Sequence, residues 1–122
     1  MEKNIYEIKH TEDIITPSLI YYEDIIEDNL NKMIEIAGSS ERLWPHVKSH
    51  KMEKLVQLQI KKGINKFKCA TISEAEMVAS CKAEAVVIAY PLIGPNIDRF
   101  FKLQLFYRET QFWAIGDDID WL

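Results

Sequence analysis

The run Ala85-Val86-Val87-Ile88-Ala89-Tyr90 is apolar without a break, rich in β-branched residues and closed by Pro91. A strand with no polar alternation fits a parallel sheet covered on both faces, because neither face then meets water. Three further short apolar stretches read as strands beside it, at residues 43–47, 66–70 and 111–115. Helical patterns separate them, and strand alternating with helix at these spacings is the signature of an α/β fold. The crossover rule then predicts a parallel sheet with these four strands adjacent in chain order and the helices outside.

The helices can be placed from their apolar spacing and their ends. Ile26, Leu30, Met33 and Ala37 form one stripe, with Glu23, Asp24, Glu27 and Asp28 at the positive end of the helix dipole and Gly38 as the stop. Met52, Leu55, Val56 and Ile60 form the face of a second helix capped by Gly63, and its lysines, Lys51, Lys54, Lys61 and Lys62, fall mostly on its outer, solvated side. Ser73 and Glu76 have the spacing of a capping box that opens a third. Gly94-Pro95-Asn96 turns the chain into a fourth, whose face is read as Ile97, Phe100, Phe101, Gln104 and Leu105. Upstream, Thr16-Pro17 blocks a helix and Leu19-Ile20-Tyr21-Tyr22 reads as a strand.

With 122 residues, 48% of them hydrophobic, the chain can bury one core. It falls well short of the about 250 residues of a complete (β/α)8 barrel. A net charge of -4 gives no electrostatic reason to expect nucleic acid. Cys69 and Cys81 lack metal or redox spacing and read as reduced thiols. No apolar run approaches the roughly 20 residues that span a bilayer, and Met1-Glu2-Lys3-Asn4 lacks the apolar stretch of a signal peptide. A cytoplasmic protein with no membrane contact is the expectation.

The chemistry concentrates in Leu43-Trp44-Pro45-His46-Val47-Lys48-Ser49-His50-Lys51-Met52. An apolar run ending in a lysine between two histidines, just before a helix, places Lys48 at the carboxyl edge of the sheet, where α/β folds put their sites. Lys51 and Lys54 are expected on the helix that follows, pointing back over its first turns and away from that edge. His46 and His50 are four apart, as metal ligands on a helix can be, but Pro45 and the strand before it oppose a helix through both. No metal site is assigned.

The segment Pro45-His46-Val47-Lys48-Ser49-His50-Lys51 resembles the pyridoxal-phosphate lysine motif of the D-threonine aldolase and D-serine dehydratase family, which has the alanine-racemase type of barrel. Thr16-Pro17-Ser18-Leu19, Lys66-Phe67-Lys68-Cys69-Ala70-Thr71-Ile72-Ser73-Glu74-Ala75-Glu76 and Gly94-Pro95-Asn96 match in register. The resemblance covers nearly the whole chain, but only the front part of such an enzyme. It implies a partial (β/α)8 barrel of about four β/α units in residues 23–122. Residues 1–22 would be an amino-terminal segment that packs with a carboxyl-terminal β-domain.

It implies pyridoxal 5'-phosphate as cofactor, Lys48 as its Schiff-base residue, His46 near it, and lyase chemistry on a small D-amino acid. The complete enzymes also use a divalent metal, held by a His and a Cys or Asp in a carboxyl-terminal part that this sequence does not contain. The chain departs from the pattern at Trp44, where Arg is common, at Tyr90, where Gln is frequent, and at Lys82, where a Gly usually takes the left-handed position. A half-barrel also leaves its outer strand edges open, which calls for a homo-oligomer or a complementing chain. Two other readings stay open: a non-catalytic carrier of the same cofactor, and a truncated inactive fragment.

Overall fold

The computed structural model describes residues 6–117. The expectations for residues 1–5 and 118–122, at the ends of the two proposed domains, lie outside the described residues. Four helices, α1 (Glu23–Ala37), α2 (Glu53–Lys61), α3 (Ile72–Ser80) and α4 (Pro95–Phe106), alternate with three strands, β1 (Lys66–Cys69), β2 (Ala85–Ile88) and β3 (Gln111–Ala114). The sheet runs β1-β2-β3 and is parallel throughout, with Phe67 opposite Val86 and Val86 opposite Phe112.

The segment 43–47 takes the expected place beside β1 but is not a strand. It makes one parallel bridge, His46 to Lys68, and the Lys68 amide donates to the Pro45 carbonyl at 2.9 Å. Pro45 has no amide of its own to extend the ladder, and at Val47 the chain already enters a 3-10 turn, Val47–Ser49. Leu19-Ile20-Tyr21-Tyr22 is no strand either; it lacks a paired neighbour among the described residues and leads directly into α1, with Tyr22 at the N-cap.

The core lies where β1 and β2 meet the helices. Phe67 and Cys69 are buried on β1, while Ala85, Val86 and Ile88 are buried on β2. Leu30 of α1, Val56 of α2, and Ile72, Ala75, Val78 and Ala79 of α3 pack around them. In α2 the inward residues are Val56 and Gln59, with Leu55 only half-buried. The inner face of α4 is also displaced from the expected one: Phe100 and Leu103 are buried, whereas Phe101 and Leu105 are exposed. That helix is apolar on most sides, so spacing could not select the side that meets the sheet.

The ends of the helices explain where they stop. After α2, Gly63 has φ +86, its amide donates to Ile60 and the Ile64 amide donates to Gln59, a Schellman motif. After α3, Lys82 takes the left-handed conformation at φ +63, as the resemblance implied. The capping box of α3 is two residues earlier than expected: Thr71 Oγ1 accepts the Glu74 amide at 3.2 Å, and Glu74 Oε2 accepts the Ala70 amide at 2.8 Å. Both Thr71 and Ser73 precede an acid at the right spacing, but helix geometry begins at Ile72, which makes Thr71 the cap.

Candidate active site at the carboxyl edge of the sheet

All strands run the same way, so Cys69, Ile88 and Ala114 mark one carboxyl edge. His46 pairs with Lys68 one residue before that edge, and the 3-10 turn that follows therefore sits at it. Val47 is fully buried and anchors the turn, which leaves Lys48 exposed at its centre. Among the described residues the Lys48 amine makes no hydrogen bond or ion pair.

Both histidines shape this turn through their rings. His46 Nδ1 accepts the Lys48 amide at 3.2 Å, and His50 Nδ1 accepts the Met52 amide at 3.0 Å, at the N-cap of α2. A ring nitrogen that accepts carries no proton, so each imidazole is the neutral form with its proton on Nε2. Burial holds both below the ordinary histidine value. For His46 the charges of Lys48 and Lys68 add to that effect, and in both rings Glu74 opposes it. Among the described residues, no group of three or more His, Cys, Asp or Glu could hold a metal ion.

Lys51 departs from expectation. It is not on α2 but two residues before it, in the left-handed conformation at φ +49, with its amide donating to Val47 at 2.8 Å. Its Nζ lies 3.4 Å from Glu74 Oε1. Lys54 is on α2, as expected, and borders a groove with Tyr21, Ile26 and Leu55, away from the turn.

Sequence reasoning passes over Glu74 as a site residue. Its side chain is only 5% exposed, Oε2 is bonded to the Ala70 amide, and Oε1 makes no hydrogen bond, with Lys51 as its ion-pair partner. Its charge reaches His46, His50 and Cys69. The available signal is a Thr-x-x-Glu cap directly after a strand, which puts an acid at the carboxyl edge of the sheet. Cys69 itself is inert: burial first, and then the Glu74 charge, push its thiol up to about 12. Trp44, which stands where the family commonly has Arg, is partly exposed with Lys66 Nζ 6.0 Å from its ring centre. Tyr90 is exposed.

No protein-family model matches the chain, and no curated protein matches it. Among solved structures, the crystal structure of D-threonine aldolase from Filomicrobium marinum is similar, with a TM-score of 0.78 and 32% sequence identity. The match covers 89% of this chain and 29% of that one, so the chain spans less than a third of the enzyme's length. Sequence and fold together make this chain similar to a fragment of the D-threonine aldolase family.

Proposed function

We propose that this chain is the lysine-bearing portion of a pyridoxal-phosphate-dependent lyase acting on small D-amino acids, with residues 23–122 as the first half of a (β/α)8 barrel. The observation that carries the reading is a coincidence of two findings: 32% identity to a D-threonine aldolase, and an unengaged lysine amine at the carboxyl edge of a parallel sheet. The residues fit the group. An aldehyde cofactor needs an accessible amine with no competing partner, and Lys48 is exposed with no partner for Nζ among the described residues.

Lys48 would hold the cofactor through Nζ, and His46, bonded to the Lys48 backbone, fixes the turn from which that amine projects. When bound, pyridoxal phosphate serves as an electron sink for the pair left at the substrate α-carbon. Lys48 Nζ would be the group of this chain to take or return a proton at that carbon. His46, with Nδ1 engaged by the Lys48 amide, would have Nε2–H left as a donor. The edge of β3, unpaired among the described residues, and the matched 29% together support a need for further strands, from more of the same protein, a second copy or a complementing chain.

The test is incubation of the chain with pyridoxal phosphate, reduction with borohydride and peptide mapping. The expected result is a label on Lys48, lost in Lys48→Ala and retained in Lys51→Ala and Lys54→Ala. A label on Lys51 instead, or on none of the three, overturns the assignment. The same chain, given D-threonine or D-serine with cofactor and a divalent metal, is expected to release no aldehyde or keto acid. Turnover that disappears in Lys48→Ala would show that this portion suffices by itself.

A further inference from the structure

We propose that Glu74 is the positioning residue of the Lys48 turn: its buried carboxylate engages the Lys51 amine, and this leaves Lys48 as the available amine at the carboxyl edge of the sheet. The inference concerns which lysine is presented, and it rests on the site reading above only for what that lysine then does.

Of two lysines three residues apart, one is at the centre of a tight turn and the other just past its end. In a 3-10 turn, residues three apart eclipse one another, so Lys48 and Lys51 would crowd the same side if the turn simply continued. It does not, because Lys51 reverses to φ +49 and its amide closes back on Val47 at 2.8 Å. A side chain with a Cβ enters the left-handed region only against steric strain, so something must hold it there. Glu74 is the group in place to do so, with Oε1 3.4 Å from Lys51 Nζ.

The carboxylate is itself held from two directions. Thr71 Oγ1 accepts the Glu74 amide and the Ala70 amide donates to Oε2, which fixes the side chain over the end of β1. The first turn of α3 adds the favourable end of a helix dipole. That leaves Oε1, 5% exposed at the residue level and without a hydrogen bond, as a buried oxygen whose charge must be met by a cation. Lys51 meets it from the solvent side, its own side chain 63% exposed. Lys48 has no such partner among the described residues. Glu74 thus joins the strand β1, the cap of α3 and the turn before α2 in a single contact.

The experiment is trace acetylation of the full chain with limiting acetic anhydride, followed by peptide mapping. In the native protein Lys48 should acetylate about two- to fivefold faster than Lys51, the range an exposed lysine gains from one ion pair. Glu74→Gln keeps an oxygen for the Ala70 amide and removes the charge; it should bring Lys51 up to the rate of Lys48 and leave Lys54 unchanged. A rise at all three lysines would mean that Glu74 only supports the fold, and the proposal would fall. Equal labelling of Lys48 and Lys51 in the native chain at low salt overturns it as well.

Should Glu74→Gln not fold, the native chain still decides. Raising salt to roughly 1 M screens the pair, so Lys51 labelling should climb relative to Lys48, and a constant ratio refutes the idea. Because the reagent is an anhydride and not pyridoxal phosphate, a cofactor that never reaches Lys48 would sink the functional reading and leave this result standing.

Discussion

β2 and β3 are both four-residue, largely apolar strands in one parallel sheet, yet they live in different surroundings. In β2, Ala85, Val86 and Ile88 are buried; in β3, Gln111, Trp113 and Ala114 are exposed and only Phe112 is half-buried, against Phe100. The difference lies in neighbours and not in propensity. β2 has a strand on each side and α3 packed against it, whereas β3 has β2 on one edge and no strand on the other among the described residues. α4 repeats the pattern, with Phe101, Leu105 and Phe106 exposed beside it. Among the described residues the unit is finished at its centre and open at its last strand, and an open apolar edge invites pairing with another strand.

The sharpest way to break this comparison is to truncate one aromatic in each region. Phe67→Ala, at a fully buried position, should cost about 3–5 kcal/mol in denaturant unfolding. Trp113→Ala, at a position 56% exposed, should cost about 1 kcal/mol or less. Equal costs, with the Trp113 effect rising with protein concentration, would show that β3 is covered in solution and that the edge is not open.

A smaller effect tests the finished region for a flaw. Lys82 joins α3 to β2 at φ +63, so Lys82→Gly should raise stability by about 1 kcal/mol or somewhat less, part of the relief being offset by the greater freedom of glycine when unfolded. A loss of stability would mean that its side chain contributes more than its backbone costs.

The smallest effect belongs to the turn before α2. His46 and His50 titrate below 6.5 in the folded chain, so between that value and their folded values the unfolded chain binds more protons. Their contribution is therefore complete above about 6.5, declines as pH falls through that window and levels off below it. Urea midpoints at about pH 7.5 and about pH 5.5 should fall on acidification, and a His46→Asn, His50→Asn variant, whose side-chain oxygens can still accept the two amides, should show a flatter profile.

Much of this was legible in the chain. Continuous β-branched strands, helical stripes and glycine stops place the elements, because each depends on local periodicity and on conformations that glycine reaches without strain. Gly38 and Gly63 end their helices as their positions foretell, and Lys82 takes the left-handed place that the family gives to glycine. The misplaced features share another cause. A single proline reduces 43–47 to one bridge, and Thr71 and Ser73 compete for the same cap. An all-round apolar α4 can turn either of two faces inward.

The sequence by itself determined the alternation of strand and helix, the parallel order and the position of Lys48 at the end of the first segment. These follow from side-chain period and from the rule that parallel neighbours are joined by crossovers. Only the tertiary structure decided that Lys51 leaves the helix and that both histidines accept backbone amides. It also decided that Glu74, twenty-three residues beyond Lys51, is the buried charge they share. Long-range pairing of that kind has no local signature, because an acid at a helix start looks the same from the chain whether water or a lysine turn stands opposite it.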